Sequence, residues 1–317
     1  MTRADLLTKL ARRLGKNASS LDAATQNRLL DHLNARHREI LSWPGMQRFR
    51  QRRLTIASVA NQALYAIPNC ANIITIGEAT NDQILSPRGF HEYRRHNPDP
   101  ASSTGTPEAY VPIGTQQVAA QPSDASSLFV DSTAAGDTQT CYIEGYITGG
   151  YPRSVSVTLT GTTAVNVSAA ASTWIGIEKF YLSSAAVGVV TLHEDADGGT
   201  ELARIGIGQT WQQYYAFYLD PTPSSAITYT VDAELLITDF AQSTDQPLIP
   251  HDFHDLLIFG ALMDEYEKGD DSRYQQAERQ WQQRASDLRL YVARLTDGPI
   301  NGGTGRSQLG PYFPAGS

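Results

Sequence analysis

His251, Asp252, Phe253, His254 and Asp255 bring two imidazoles and two carboxylates to the start of one predicted helix. Two histidines three residues apart could ligate zinc, but zinc needs further ligands and none is identifiable in the sequence. Capping accounts for much of the cluster, because the Asp252 carboxylate suits the exposed N–H groups of a first helical turn. Asp195, Asp197, Gly198 and Gly199 suggest calcium only until the pattern fails to continue as an EF-hand loop; a β-turn rich in Asp and Gly is the better reading. Gly302 to Ser307, GGTGRS, resembles a phosphate loop in glycine content alone, with no lysine and no following helix. The chain has no G-x-S-x-G elbow, no H-E-x-x-H, no Walker pattern and no carboxylate pair at a recognisable spacing. The expected catalytic, cofactor and metal sets are therefore empty, and the chain reads as a non-enzyme.

A sugar-binding reading competes. If Trp211 to Leu219 is a strand, Tyr215, Phe217 and Leu219 share one face while Tyr214 and Tyr218 share the other. Tyr214 and Tyr218 exposed on a β-sheet would form an aromatic patch able to stack on glycans, although packing inside the sheet is simpler.

The elements that would position such residues begin with a helical hairpin, Pro247 to Leu295. Pro247 and Pro250 bar a helix before them. Phe253, Leu256, Leu257, Gly260, Met263 and Tyr266 then recur at helical spacing. Gly269 followed by Asp270, Asp271 and Ser272 stops this helix and caps the next. Tyr274, Ala277, Trp281, Ala285, Leu288, Val292 and Leu295 form one apolar stripe on the second helix, with Arg279, Arg284, Arg289 and Arg294 outside it.

Earlier in the chain, Thr2 with Asp5 reads as a capping pair for a helix bearing Leu6, Leu7, Leu10 and Leu14, ended by Gly15. Ser20 or Asp22 starts a second helix carrying Leu29, Leu30, Leu33, Ile40 and Leu41, stopped at Trp43-Pro44-Gly45. Two short helices cannot bury both stripes alone, which predicts packing on the C-terminal hairpin. Short β-runs follow from Leu54, and Pro87 to Arg95 reads as a brief helix capped by Ser86. Tyr214 to Ile237 reads as a strand pair, the second strand alternating through Ile227, Tyr229, Val231, Ala233, Leu235 and Ile237.

Between them, Thr115 to Thr210 looks inserted and all-β. Cys141, Ile143 and Ile147 alternate with Tyr142, Glu144 and Tyr146; Val155, Val157 and Leu159 follow, then Ile175 and Ile177, Val187 and Val189, and Ile205 and Ile207. Insertion at a loop is tolerated when the ends of the inserted domain lie close together.

Composition sets the outer limits. The 317 residues are 41% hydrophobic and 18% charged, ordinary for a globular chain long enough for one to three domains. No apolar run approaches the ~20 residues of a membrane span. The N-terminus is amphipathic and interrupted by charge, unlike a cleaved signal peptide. Cys70 and Cys141 form no metal spacing and read as reduced thiols of a protein made in cytosol. The net charge of −8 is uneven: 12 Lys/Arg against 4 Asp/Glu over residues 1–53, but 6 against 19 over residues 54–250. A basic end and acidic middle suggest self-association or an acidic partner. For Arg48, Arg50, Arg52 and Arg53, a solvated or partner-facing basic turn is preferred over nucleic-acid contact.

"LIPHDFHDLLIFGALMDEY" followed by "DDSRYQQAERQWQQRASDLR" resembles the C-terminal half of phage portal-adaptor (head-to-tail connector) proteins, and Gly105-Thr-Pro ahead of an aromatic strand resembles them again. "EGYITGGYPRSVSVTLTGTTAV" is similar to the Ig-like modules of phage structural proteins. The resemblance implies an α+β chain: a discontinuous helical bundle of N-terminal helices plus C-terminal hairpin, a small β-domain, and an inserted Ig-like β-sandwich. The expected domains are an adaptor core over 1–114 and 211–296, the insertion over 115–210, and an extended tail over 297–317. It further implies a virion protein of the neck, made in the bacterial host cytoplasm, forming a twelvefold ring below the portal. Its partners would be the portal protein, neighbouring copies of itself and a downstream tail or neck protein, with genomic DNA passing nearby without sequence-specific contact and no membrane involved. Trp281, Arg284, Arg289 and Arg294, with Leu309, Tyr312 and Phe313 of the tail, are the expected portal or subunit contacts.

Overall fold

The computed structural model describes residues 1–81, 83–97, 103–167, 173–195, 198–269 and 271–296 of an α+β chain. Leu309, Tyr312, Phe313, the GGTGRS stretch and Asp197 lie outside the described residues. Two compact units divide the chain, one made of residues 1–50 and 237–317, the other of residues 51–236. The division thus falls at 50/51 and 236/237, not at the edges of the expected insertion.

The helices are α1 (Arg3–Arg13), α2 (Ala23–Leu41), α3 (Gln47–Arg50), α4 (Phe90–His96), α5 (His254–Lys268) and α6 (Tyr274–Thr296), all but α4 belonging to the first unit. The caps of the first two follow local chemistry. Asp5 N–H donates to Thr2 Oγ1 at 3.2 Å while Thr2 N–H donates to Asp5 Oδ2 at 2.9 Å, a reciprocal capping box. Asp22 caps α2 by accepting the Thr25 N–H at 2.7 Å.

The expected cap of α5 is not made. His251–Phe253 forms a 3-10 turn, Phe253 holds the N-cap position without a side-chain hydrogen bond, and the Asp252 side chain is almost fully exposed. The turn after Pro250 consumes the residues that a direct helix start would have used. Leu6, Leu10, Leu29, Leu33, Ile40 and Leu41 from one end of the chain share a core with Leu256, Leu257, Ala261, Ala285, Leu288 and Val292 from the other. Leu295, expected on the α6 stripe, is exposed near the end of α6.

The second unit contains strands β1 (Gln51–Ala57), β2 (Leu64–Pro68), β3 (Cys70–Glu78), β4 (Gln83–Ile84), β5 (Ser86–Pro87), β6 (Thr104–Gly105), β7 (Ala109–Gln116), β8 (Leu128–Ser132) and β9 (Thr140–Ile147). They continue as β10 (Tyr151–Thr158), β11 (Val165–Asn166), β12 (Trp174–Leu182), β13 (Val190–Glu194), β14 (Thr200–Ile205), β15 (Tyr214–Asp220), β16 (Thr222–Pro223) and β17 (Thr228–Leu235). Sheets ordered β1-β17-β3-β4 and β2-β15-β7-β5 share a core of Tyr65, Ile67, Ile76, Phe217, Leu219, Tyr229 and Val231. Sheets ordered β10-β9-β12 and β11-β8-β13-β14 share another, built from Leu128, Ile143, Trp174, Phe180, Leu192 and Ile205 among others.

Three expectations need correction here. The strands of Tyr214 to Ile237 do not pair with each other: β15 and β17 belong to different sheets, and β16 between them pairs in parallel with β6. Ser86 does not cap a helix; Ser86–Pro87 is β5, pairing in parallel with Ala109 and Tyr110, and α4 begins three residues later with Gly89 as its N-cap. Val187 and Ile207 are exposed outside their strands, which run over Val190–Glu194 and Thr200–Ile205. The inserted stretch leaves β7 at Gln116 and returns at Tyr214, and these two residues are directly paired. Entry and exit are thus neighbours, the geometry that lets a loop carry a domain.

Candidate interaction surface

The predicted contact residues of α6 lie where α2, α5 and α6 converge. Gly260 permits this approach, since a Cβ there would stand 2.8 Å from Arg36 Cγ on α2 and 3.0 Å from Trp281 Nε1 on α6. The Trp281 ring meets Trp43 edge-on with centroids 6.0 Å apart, and the Arg36 guanidinium lies 5.3 Å from its centroid. Arg36 is itself held by Asp264 and, at 2.6 Å, by Glu39. Trp281 is consequently half-buried among partners in its own chain.

Arg284 is similarly committed. Its Nε and Nη2 donate to Asp255 Oδ2 at 2.9 and 2.7 Å, tying α6 to the first turn of α5. Arg289 lies over the Trp43 ring at 4.5 Å. Arg294 is exposed near the end of α6. Of the four α6 residues expected to reach a partner, Arg294 and the outer face of Arg289 are the ones the fold leaves presented to solvent.

Beside them is a groove of about 250 Å³ lined by Trp43, Pro44, Met46, Leu288, Arg289 and Val292. Gly45 shapes its floor with φ +86, where an added Cβ would stand 2.5 Å from Val292 Cγ1. Arg48 donates to the Leu295 carbonyl at 2.7 Å, a cation placed at the negative end of a helix. Leu290, Tyr291 and Leu295 are exposed on the same last turns. The sequence stripe identified the inward residues of α6; the corner at Trp43 that completes the groove carried a signal only as a Trp-Pro-Gly stop.

A charged cleft of about 480 Å³ lies along α2 and α5, lined by His32, Arg36, Glu39, Asp264, Glu267 and Lys268. At its edge Arg28 grips Glu265 through two hydrogen bonds of 3.0 and 2.8 Å. Burial works to raise the Glu265 pKa, but the hydrogen bond and charge of Arg28 outweigh it and hold the carboxyl below the usual range. The Arg28–Glu265 and Arg36–Asp264 pairs join helices from opposite ends of the chain.

In the first unit the HDFHD cluster is divided. His251 is exposed, whereas His254 is buried, with Nε2 3.0 Å from the Ile249 carbonyl and Nδ1 3.0 Å from the Met1 amine. Among the described residues no group of three His, Cys, Asp or Glu side chains is placed to hold a metal ion. Cys70 and Cys141 are buried free thiols, pushed up to about 11 and about 12 by burial.

The expected aromatic patch is not exposed. Tyr214 is only 4% exposed; its hydroxyl accepts from the Arg204 N–H at 2.8 Å and donates to the Arg204 carbonyl at 2.9 Å, and burial pushes it up to about 12. Tyr218 is half-buried against Tyr93, centroids 5.4 Å apart. Tyr214 alternates with Tyr215, Phe217 and Leu219, which pack on the core of the β2-β15-β7-β5 and β1-β17-β3-β4 sheets, and the backbone of Arg204 in β14 covers its hydroxyl. Sequence alternation alone could not show that cover.

A different aromatic set is presented by β9 and β12. Cys141 and Ile143 of β9 enter the core, which turns Tyr142, Glu144 and Tyr146 outward. Tyr142 pairs in register with Tyr181, and Tyr181 is bridged to Trp211. The alternation was legible in the sequence, but the neighbours from β12 and Trp211 required the register. No protein-family model matches this chain, and no curated protein sequence shows significant similarity to it.

Proposed function

We propose that this chain is a structural protein of a tailed-phage virion, a head-to-tail adaptor that forms a ring below the portal. In this reading the first unit is a discontinuous helical bundle, the β2-β15-β7-β5 and β1-β17-β3-β4 sheets are a small β-domain, and residues 115–210 are an Ig-like sandwich set into one loop. The observation that carries it is the shared core of α1 and α2 with α5 and α6: both chain ends build one helical unit, and all else is inserted between them. The helical pair is also where the resemblance to adaptors is written.

The work of such a protein is mechanical. It binds the portal, repeats around a closed ring and presents a surface to the next neck or tail component while DNA passes through. Ring closure requires a heterologous interface, one face of a copy meeting a different face of its neighbour. The exposed Arg289, Arg294, Leu290 and Tyr291 on the last turns of α6 offer such a face. The alternative, a glycan- or receptor-binding module centred on Tyr214 and Tyr218, loses its anchor with the burial of Tyr214.

Electron microscopy of the purified protein, alone and mixed with its portal, tests the proposal. A ring of copies stacked on the portal is the expected result; a chain that stays monomeric and ignores the portal would overturn it. Removal of residues 297–317 should leave the helical circular dichroism intact and weaken assembly. Unchanged assembly would show that Leu309, Tyr312 and Phe313 are dispensable.

A further inference from the structure

The outer face of the β10-β9-β12 sheet combines exposed aromatic rings with fixed carboxylates. One row across the sheet reads Trp211, Tyr181, Tyr142 and Ser156, each paired in register with the next. The next row reads Lys179, Glu144 and Ser154, and the third Gly176, Tyr146 and Pro152. Registered partners point to the same side of a sheet, so these residues form one surface opposite the buried Cys141, Ile143, Phe180 and Leu182.

The polar groups on this surface are pre-positioned. Glu144 accepts from Lys179 Nζ at 2.6 Å through one oxygen and from the Tyr181 hydroxyl at 3.0 Å through the other. The Tyr146 hydroxyl donates to Glu178 Oε1 at 2.9 Å. The Tyr142 and Tyr181 rings stack on each other with centroids 5.0 Å apart. Trp211 is 48% exposed and Tyr146 40% exposed, and the registered rows include the small residues Ser154, Ser156, Pro152 and Gly176, the last standing where a side chain would meet the Tyr146 ring. Each carboxylate oxygen keeps a second lone pair for an outside donor.

We propose that this face binds a neutral polysaccharide. Sugar rings offer C–H faces to stack on Trp211 and Tyr146 and hydroxyl donors for Glu144 and Glu178. Charge selects against the obvious competitors. The face carries two carboxylates against one ammonium within a stretch, residues 54–250, that holds 19 acidic against 6 basic residues, so phosphate-bearing polymers and nucleic acid are repelled. A protein ligand would more readily fill an apolar hollow than this ridge of hydroxyls and carboxylates. The site shares no residue with Tyr214 and Tyr218 and does not depend on the adaptor reading.

The test is binding of the full chain to an array of neutral gluco-, galacto- and manno-oligosaccharides, followed by calorimetry with the best soluble oligosaccharide. Trp211→Ala and Tyr146→Ala should each weaken binding by about tenfold or more, as truncation of a central aromatic contact does, with thermal unfolding unchanged. Glu144→Gln, which keeps the size but removes the charge, should weaken binding less than either. No binding to any neutral glycan, or binding that survives both aromatic truncations, would overturn the proposal. Portal association by the two aromatic variants should match the parent, which separates this site from ring assembly.

Discussion

Gly260→Ala sets two effects of known size against each other. Gly260 sits within α5, where replacing glycine by alanine in a helix normally stabilises by ~1 kcal/mol. The added methyl would, however, stand 2.8 and 2.9 Å from Arg36 Cγ and Cδ and 3.0 Å from Trp281 Nε1. Neither neighbour yields easily. Arg36 is anchored at its far end by Asp264 and Glu39, and the Trp281 ring is bracketed by Trp43 and Arg36. Overpacking of this kind costs roughly 1–3 kcal/mol. Setting the helix gain against it leaves a net loss of about 0–2 kcal/mol. The assay is urea unfolding followed at 222 nm, which reports the helical unit because, among the described residues, only the seven-residue α4 lies outside it. In an Arg36→Ala/Trp281→Leu background both overlaps are removed, and the same Gly260→Ala change should become stabilising. A Gly260→Ala protein clearly more stable than its parent, or no gain from the change in the Arg36→Ala/Trp281→Leu background, would refute the close approach of α2, α5 and α6.

The remaining predictions concern buried titratable groups. His37 is 2% exposed, accepts from the Leu248 N–H at 3.3 Å and stacks on Phe240, and burial drives its pKa from 6.5 to about 4. Between those values the unfolded chain binds a proton that the folded chain refuses. Stability of the helical unit should therefore be full above pH 6.5 and fall by about 3 kcal/mol toward pH 4. His37→Gln should flatten that part of the profile relative to the parent in matched urea titrations; parallel profiles would sink the assignment. Cys70 and Cys141, with thiols raised by burial, should be unreactive to a water-soluble disulfide reagent at pH 8 and should both react in denaturant. Rapid labelling of either in native buffer would show that its strand opens.

Helix existence and facing were largely written in the chain. The Thr2–Asp5 and Asp22–Thr25 caps are local hydrogen bonds, and the inward stripe of α6 is a matter of spacing, so nearest-neighbour chemistry suffices for both. Alternation likewise announced that Tyr229, Val231 and Ala233 share a buried face.

What only tertiary structure decided is which residues become neighbours. β15 and β17 have the alternation of a hairpin, yet they pair in different sheets, since a strand's pattern specifies its buried face and not its partner. Tyr214 and Tyr218 share a strand face, but Arg204 covers one and Tyr93 the other. Arg284 and Trp281 read as surface contacts until Asp255, 29 residues away, and Trp43, on the far side of the inserted stretch, come to meet them. In the same way Trp211, Tyr181, Tyr142 and Ser156, scattered over seventy residues of chain, become one row through strand register alone. Local propensity determines elements and their inward faces; the long-range packing that pairs them determines what remains for a ligand.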